Sequence, residues 1–270
     1  MDQKYIDANR KMWDEFTKFH FRAENEFYSV KAFLDGKTTL KQYELDEMGN
    51  VEGKQLLHLQ CHFGLDTLSW AREGATVTGI DFSGEAIRLA RILTEKAQLT
   101  ARFIQTNLYK LPQVLTEKFD IVYTSIGVLC WLNDLRTWAE IIAHFLKPSG
   151  FFYIADGHPF KNMFDNDHPE ELQLMYNYFH NPVPMEFIAE GSYASDAPHM
   201  NPLKEYEWEH SLSEIINSLI QAGLRIDFFN EYPFSTDKEF EFSEKDSEGY
   251  YRLKNQKVEI PLLFTLKASK

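Results

Sequence analysis

Apolar and polar positions between residues 51 and 155 follow an alternation of short strands and helices. Apolar residues recur at helical spacing in three segments, which begin near Leu65, Ser83 and Leu135. Five apolar runs are each short enough for a buried strand: residues 56–59, 76–80, 102–105, 119–124 and 151–155. A regular strand–helix alternation of this length predicts a parallel, doubly wound sheet.

The pattern changes after residue 155, where Pro, His and aromatic residues replace the alternation. A last helix is predicted over about residues 212–222, with Gly223 at its C-cap. Strands at 224–230 and about 258–267 then close the chain. Two strands with no helix between them pair antiparallel, because a parallel pair needs a crossover connection. The acidic stretch between these strands is predicted to be a solvated surface loop.

The predicted fold class is therefore α/β, with a doubly wound, mostly parallel seven-stranded sheet that includes an antiparallel C-terminal strand. Four segments are expected to build it. Residues 1–50, which are amphipathic and rich in aromatic residues, form an N-terminal helical cap. Residues 51–155 form the α/β core, and residues 156–210 form an insertion or lid over a ligand pocket. Residues 211–270 supply the C-terminal helix and strands that complete the sheet.

The charge balance limits the class of partner. The 270 residues include 41 acidic and 28 basic ones, which gives a net charge of −13. This argues against a nucleic acid or an anionic membrane as partner, because Lys and Arg must offset the charge of either. No run approaches the roughly 20 apolar residues that span a bilayer, and no signal peptide is evident. Since Cys61 and Cys130 make no disulfide framework, we expect a cytoplasmic protein.

Four loops follow the carboxyl ends of predicted strands, where open α/β sheets bind their ligands. The first is His-Leu-Gln-Cys-His-Phe-Gly at 58–64, and the second is Gly-Ile-Asp-Phe-Ser at 79–83. The third is Thr-Asn-Leu at 106–108, and the fourth is Thr-Ser-Ile-Gly at 124–127. Together with the Leu-Lys-Pro-Ser-Gly turn at 146–150, this series resembles the class I S-adenosylmethionine-dependent methyltransferases.

The resemblance covers residues 50–155 well and residues 210–267 loosely. It implies a Rossmann-like methyltransferase fold, S-adenosylmethionine as cofactor and S-adenosylhomocysteine as product. It also implies that the first loop wraps the methionine part of the cofactor and that the second holds the ribose and the adenine face. The third loop would meet the adenine edge, and the fourth would lie under the sulfonium. The cofactor-binding residues implied in this way are Gln60, Cys61, His62, Gly64, Asp81, Phe82, Asn107, Leu108, Ser125 and Ile126.

The first loop departs from the family pattern, which is Asp/Glu-x-Gly-x-Gly-x-Gly. His58, Gln60 and His62 stand at the first three of these positions, and only Gly64 matches. Glycine serves where the backbone needs a positive φ or a close approach, so the loop is either wider here or uses side chains in place of backbone contacts. Simpler structural roles are also open: Asp81 as a helix N-cap, and His58 as a hydrogen-bonded core residue.

The aromatic residues of segments 1–50 and 156–210 suit a small-molecule acceptor of apolar or aromatic character. A base is needed only if the acceptor is protonated at neutral pH, as a hydroxyl or an ammonium is. His158, at the end of the fifth strand, is the candidate catalytic base, and a loop histidine bonded to the backbone is the other interpretation. Five of the nine histidines lie in the insertion at irregular spacing, which predicts no metal site: His158, His168, His180, His199 and His210.

Other classes of function stay open at this point. A nicotinamide-dependent oxidoreductase shares a glycine-bearing first loop and an acid about 20 residues later, but the GxGxxG fingerprint is absent. A non-catalytic S-adenosylmethionine-binding or regulatory protein would account for the altered first loop. A nucleic-acid methyltransferase is disfavoured, because the fourth loop lacks the (Asp/Asn)-Pro-Pro-aromatic sequence that grips a flipped base.

Overall fold

Seven strands form the central sheet of the structure, a computed structural model that describes residues 3–23, 28–191, 201–254 and 258–270. His199, which belongs to the predicted histidine-rich insertion, lies outside the described residues. The strands of the described chain are β1 (Gln55–Leu59), β2 (Thr76–Asp81), β3 (Ala101–Gln105), β4 (Phe119–Thr124), β5 (Leu146–Gly157), β6 (Met185–Ala189), β7 (Leu203–Glu207), β8 (Arg225–Tyr232), β9 (Ser243–Lys245), β10 (Tyr251–Leu253) and β11 (Leu263–Ser269).

Helices flank the sheet and also cover one of its edges. The α-helices of the described chain are α1 (Gln3–His20), α2 (Val30–Leu34), α3 (Gln42–Met48), α4 (Leu65–Arg72), α5 (Gly84–Ala97), α6 (Leu135–Phe145) and α7 (Leu212–Gln221). Ser83 caps α5 by accepting a hydrogen bond from the Ala86 amide, and Gly223 follows α7 with φ 87°, as the sequence predicts. Among the described residues, none of these helices is long and apolar enough to cross a membrane.

The strand order of the central sheet is β3-β2-β1-β4-β5-β11-β8. Neighbours from β3 through β5 pair parallel, and β11 pairs antiparallel with both β5 and β8. The predicted fold class, with its antiparallel C-terminal strand, is confirmed. Chain order reverses between β1 and β4, so the ligand crevice of such a sheet opens beyond the carboxyl ends of these two strands.

Both faces of the sheet are buried, because successive strand residues point to opposite sides. In β4, Ile121 packs into one apolar cluster, with Trp70 and Tyr153, whereas Val122 packs into the other, with Trp138. Nearly every interior position of β1 and β4 is therefore buried, as expected for strands of a sheet that is covered on both faces.

The N-terminal helix α1 ties two distant parts of the chain together. The Asn9 side chain donates to the Tyr206 carbonyl and accepts from the Tyr206 amide, each at 2.8 Å, which binds α1 to β7. Asp14 accepts from the Ser83 hydroxyl at 2.6 Å and from the Glu85 amide at 3.2 Å, at the N-terminus of α5. A carboxylate at this end of a helix is favoured, because unpaired amides point toward it. Helix α1 thus spans the space between the core and the insertion.

Helix α3 is fixed to the C-terminal strands through one carboxylate. Glu47 accepts hydrogen bonds from Tyr153, Asn230 and Tyr232, each at 2.7 Å, and from Thr265 at 3.0 Å. Hydrogen bonds to a charged acceptor are stronger than those between neutral groups, so this position joins α3 to β5, β8 and β11.

The structure corrects three predictions about the chain after residue 145. Strand β5 begins at Leu146 and not at Phe151, and β11 covers Leu263–Ser269 and not 258–267. The acidic stretch after β8 is not simply a solvated loop: it contains the β9–β10 hairpin and buries Phe234 and Phe240. The aromatic residues within that stretch provide the apolar surface that brings it back onto the protein.

Candidate functional site

A cavity of about 970 Å³ opens beyond the carboxyl ends of β1, β2, β3 and β4. The four loops identified in the sequence form its floor, α1 contributes Asn9 and Trp13, and the insertion and residues 236–240 form the opposite wall. All ten residues that the resemblance implies as cofactor-binding line this one cavity: Gln60, Cys61, His62, Gly64, Asp81, Phe82, Asn107, Leu108, Ser125 and Ile126.

The first loop keeps a glycine-like backbone although two of its glycine positions carry side chains. Gln60 has φ 54° and His62 has φ 51°, both in the left-handed region that glycine adopts most easily. At Gly64, with φ 81°, an added Cβ would lie 2.6 Å from the Phe103 ring, so a side chain is excluded there. Gln60 and His62, by contrast, have room for their side chains, and both side chains contact neighbouring elements.

Gln60 and His62 use their side chains to tie the first loop to its neighbours. The Gln60 amide group donates to the Val128 carbonyl at 3.2 Å, while its Oε1 is fully buried without a partner. His62 lies 3.0 Å from the His20 ring, Nε2 to Nδ1, and contacts Trp13 at a ring distance of 5.3 Å. Burial lowers the pKa of His62 well below its usual value, and the proximity of His20 lowers it further, so His62 is neutral.

Asp81, at the end of β2, is a buried carboxylate that two backbone amides orient. Its Oδ2 accepts from the His62 amide at 2.9 Å, and its Oδ1 accepts from the Ser83 amide at 2.8 Å. Each oxygen keeps a second lone pair. Burial, chiefly, raises the pKa of Asp81 to about 6, so the group is mostly ionised at neutral pH. The helix N-cap is Ser83 and not Asp81.

The third and fourth loops are held by local side-chain hydrogen bonds. Asn107 caps the short 3-10 helix that follows it: its Oδ1 accepts from the Tyr109 amide at 2.9 Å. The His58 ring contacts Thr67 at 2.7 Å and Ser125 at 3.2 Å from its two nitrogens. Burial lowers the pKa of His58 to about 3. His58 is therefore the hydrogen-bonded core histidine of the simpler interpretation, and it positions Ser125 in the cavity.

Asp156, near the end of β5, organises the loop that follows β4. Its carboxylate accepts from four backbone amides: Gly127 at 2.6 Å, Val128 at 3.3 Å, Leu129 at 3.1 Å and Gly157 at 2.8 Å. The sequence places Asp156 at the strand end but gives no sign of this function, because its partners lie about 30 residues earlier in the chain.

His158, the predicted base, is not among the residues that line the cavity. Its ring is 2% exposed, with Nε2 at 2.9 Å from a Glu231 carboxylate oxygen and Nδ1 accepting from the Phe160 amide at 3.1 Å. Burial lowers its pKa, against a smaller raising effect of Glu231. His158 directly follows β5, and its ring packs beside Phe264 of β11. The structure thus brings ten of the eleven predicted site residues together and leaves His158 outside.

The insertion contributes an acidic wall that the sequence analysis missed. Glu205, Glu207 and Glu209 all line the cavity, and alternate residues of a strand share one face. Burial, together with the charges of its two acidic neighbours, raises the pKa of Glu207 to about 8, and burial raises that of Glu209 to about 7. The Glu-x-Glu-x-Glu alternation is the sequence signal that could have identified this face.

One group of potential metal ligands lies at the edge of the insertion. The ligand atoms of His180, His210 and Glu214 all lie within 4.8 Å of one another. The two imidazoles are stacked, however, with 4.9 Å between ring centroids and 10° between planes. A metal binds in the plane of each imidazole at about 2.0–2.1 Å from nitrogen, so two parallel, stacked rings do not direct their lone pairs to one point. The group is better suited to packing than to metal binding.

Part of this chain is similar to known methyltransferases. Residues 57–154 match the family model described as a methyltransferase domain. A ubiquinone biosynthesis O-methyltransferase from Serratia proteamaculans is 29% identical over 113 residues, which cover 42% of this chain and 46% of that protein. The corresponding Photorhabdus laumondii protein is 28% identical over 113 residues, covering 42% and 47%. The match thus spans about half the length of these curated relatives.

Solved structures extend the similarity to most of the chain. An S-adenosylmethionine-dependent methyltransferase from Mesorhizobium loti has a TM-score of 0.57 and 18% identity, covering 88% of this chain and all of that one. One from Clostridium acetobutylicum has a TM-score of 0.54 and 14% identity, covering 98% and 93%. At these identities the likeness shows the fold. The chain carries a methyltransferase domain and the class I S-adenosylmethionine-dependent methyltransferase fold, which confirms the resemblance.

Proposed function

We propose that this chain, on the strength of its methyltransferase domain, transfers a methyl group from S-adenosylmethionine to a small-molecule acceptor. The observation that most supports the proposal is the cavity at the strand ends, because every residue implied as cofactor-binding lines it. Ligand sites of this kind lie at the switch point of an α/β sheet, which here falls between β1 and β4.

The residues of the cavity suit the chemistry of S-adenosylmethionine. Asp81 is anchored by two amides and keeps lone pairs on both oxygens, which suits two ribose hydroxyl donors. The buried Gln60 Oε1 lacks a donor and would accept one from the amino-acid part of the cofactor. Phe82 offers a ring to the adenine. The Asn107 carbonyl oxygen is used by Tyr109, so its amide N–H groups would be the ones to meet the adenine edge.

The main contribution of the chain to the reaction would be positioning. When bound, S-adenosylmethionine supplies a methyl group on a sulfonium leaving group. The rigid floor of the cavity, fixed by Asp156 and by the His58 bond to Ser125, would hold the acceptor atom in line with that methyl group. Alignment at near-attack distance is worth about 7–11 kcal/mol of the barrier. Helix α1 and the insertion would exclude water from the same space.

His158 has no place as a base in this proposal. Its two ring nitrogens contact Glu231 and the Phe160 amide, and the cavity lining does not include it. We expect His158→Ala to lower the free energy of unfolding by about 1–3 kcal/mol, because a buried hydrogen-bonded group is lost. Turnover of the folded enzyme should stay close to that of the wild type in a steady-state assay, and a selective loss of turnover would restore His158 as a base.

The test of the proposal is the affinity for S-adenosylhomocysteine, measured by calorimetry. Asp81→Ala should weaken it by about tenfold or more, because hydrogen bonds to a charged group contribute about 1.5–3 kcal/mol. Asp81→Asn, which keeps one acceptor oxygen, serves as a second variant if the first folds poorly. Glu85→Gln is the matched control, since Glu85 pairs with Arg88 away from the cavity. Unchanged affinity in both Asp81 variants would refute the ribose contact.

Two alternatives are separated by the same experiment. A nicotinamide-dependent oxidoreductase would bind NADH and not S-adenosylhomocysteine, and the antiparallel β11 already argues against it. A non-catalytic binding protein would bind S-adenosylhomocysteine but form no methylated product with a broad set of small molecules. A reducing compartment such as the cytoplasm belongs to the proposal as well, since Cys61 and Cys130 are both free thiols.

A further inference from the structure

The acidic wall of the cavity contains carboxylates that the protein leaves without hydrogen-bond donors. Glu205 and Glu207 lie on the cavity-facing side of β7, and no described residue donates to either side chain. Glu207 is partly exposed, and it lines the cavity. A carboxylate that faces a ligand cavity and receives no hydrogen bond from the protein is available to pair with a bound cationic group.

The enclosed acids elsewhere in the cavity lining are satisfied within the protein. Their donors are Tyr123 for Glu44, Thr39 for Asp66, the His62 and Ser83 amides for Asp81, the loop after β4 for Asp156, and Lys161 for Glu239. The buried lysine of the cavity lining, Lys161, has its ammonium paired with Glu239. Glu209 receives one long bond, at 3.4 Å, from Asn162. The charge of Lys161 lowers the pKa values of Glu207 and Glu209, but burial raises them more, so a bound cation would stabilise the ionised form of both acids.

Aromatic rings stand beside these carboxylates. Phe187 is paired with Glu205 across the β6–β7 ladder, and Tyr176 packs on Phe187 at a centroid distance of 6.1 Å. Trp208 lies between Glu207 and Glu209, and all three rings line the cavity. Carboxylates next to aromatic faces form an environment that binds a cation, through ion pairing and through the negative faces of the rings.

We propose that the acceptor is a small molecule with a positively charged nitrogen, which Glu205, Glu207 and Glu209 bind against the rings of the insertion. The inference rests on the proposed methyl transfer, because it identifies the wall with the acceptor side of the cavity. It replaces the purely apolar or aromatic acceptor expected from composition with an amine that also carries an apolar part. The wall belongs to the insertion, whereas the cofactor residues belong to the four loops of the sheet.

The experiment compares three probes that share a phenylethyl group on the full chain: 2-phenylethylamine, 2-phenylethanol and 3-phenylpropionate. Binding of each is measured by calorimetry with and without saturating S-adenosylhomocysteine. We expect the wild type to bind the ammonium at least about tenfold more tightly than the alcohol, which corresponds to about 1.4 kcal/mol, and to bind the anion least. Equal affinities for ammonium and alcohol, or no measurable binding of either, would overturn the proposal.

Isosteric variants show whether the acidic wall is responsible. Glu207→Gln should reduce the preference for the ammonium over the alcohol. In the double variant with Glu205→Gln and Glu207→Gln, we expect the two affinities to lie within about twofold of each other. Glu186→Gln is the matched control, because Glu186 lies on the same hairpin, pairs with Lys204 and does not line the cavity. Preserved ammonium preference in the double variant would contradict the assignment of the binding wall.

Two further measurements separate this inference from its alternatives. If Glu207 serves only the fold, Glu207→Gln should unfold at lower urea concentration. We expect the opposite at about pH 8.5, because an unpaired enclosed charge is removed. If the wall serves the cofactor, the variants should lose affinity for S-adenosylhomocysteine, whereas we expect that affinity to stay within about twofold. If the wild type does not bind S-adenosylhomocysteine, the proposed function is refuted. The comparison of the three probes in the absence of S-adenosylhomocysteine would still test whether the acidic wall binds a cation.

Discussion

Gln60 and His62 occupy left-handed backbone positions where a glycine would be the simplest choice. The cost of a non-glycine residue there is of order 1 kcal/mol, and the side chains offset it through the bond to Val128 and the contact with His20. The loop is thus not wider than a glycine-rich one in its backbone conformation. Its side chains add contacts to α1 and to the loop after β4 that glycine could not make.

Asp156 is the single residue on which the loop after β4 depends most. Asp156→Ala would leave four backbone amides without their acceptor, two of them in the buried residues Val128 and Leu129, and we expect the free energy of unfolding to fall by about 3 kcal/mol. Urea denaturation followed by circular dichroism measures this. Asp165→Ala is the control, because Asp165 accepts only from the Asp167 amide in its own loop. A difference below about 1 kcal/mol between the two variants would show that water replaces the carboxylate.

Helix α1 is the element that joins the floor of the cavity to its acidic wall. Asp14 holds it to the N-terminus of α5, and Asn9 holds it to β7. Its inner face contributes Asn9 and Trp13 to the cavity, so the helix must stay docked for the space to stay closed. The stability of this contact, more than that of the sheet, should control access to the site.

Loss of the Asp14 contact should loosen α1 without unfolding the sheet. For Asp14→Ala we expect faster amide hydrogen exchange over residues 3–20 and severalfold weaker binding of S-adenosylhomocysteine, since a charge-assisted contact of about 1–2 kcal/mol is removed. Asp7→Ala is the control, because Asp7 bonds only to Gln3 and Arg10 within the same helix. Exchange rates that are equal in the two variants would show that Asn9 alone keeps α1 in place.

At the scale of the whole molecule, buried titratable groups make stability depend on pH in two opposite ways. Burial lowers the pKa of His20 and His58 from 6.5 to about 3. Below about pH 6.5 these histidines are protonated in the unfolded chain but stay neutral in the folded chain. The free energy of unfolding therefore falls as the pH drops from about 6.5 to about 3. Burial raises the pKa of Glu44 and Glu209 from 4.5 to about 7, and that of Glu207 to about 8. The stability that these acids contribute at low pH is lost as the pH rises from 4.5 to 8.

Between about pH 6.5 and 8, the pH dependence of stability comes mainly from the three acids with raised pKa values. We therefore expect the urea concentration at the unfolding midpoint to fall as the pH rises through that interval. Unfolding curves at several pH values in a constant ionic strength measure the effect. The Glu207→Gln variant should show a smaller fall, because its group no longer titrates. A midpoint that rises steadily to about pH 8 would mean that the enclosed acids are paired in solution.

The sequence by itself determined the sheet and the loops that meet at its carboxyl edge. Strand and helix periods are local, and loops at the carboxyl ends of parallel strands meet at one edge by geometry, so Asp81 and Asn107 could be placed in one cavity from their positions. The roles proposed for them in cofactor binding come from the family resemblance. The order of the elements also predicted the antiparallel end of the sheet, because two adjacent strands without a crossover have no other easy pairing.

Only the tertiary structure decided which residues form the opposite side of the cavity. Asn9 and Tyr206 are 197 positions apart, and no local pattern indicates that α1 lies against β7. His158 directly follows the end of β5, yet its ring is buried and contacts Glu231 of β8 instead of lining the cavity. Glu207 becomes exceptional only through its surroundings, which raise the pKa of its carboxyl to about 8. Those surroundings depend on packing between distant segments, which periodicity does not encode.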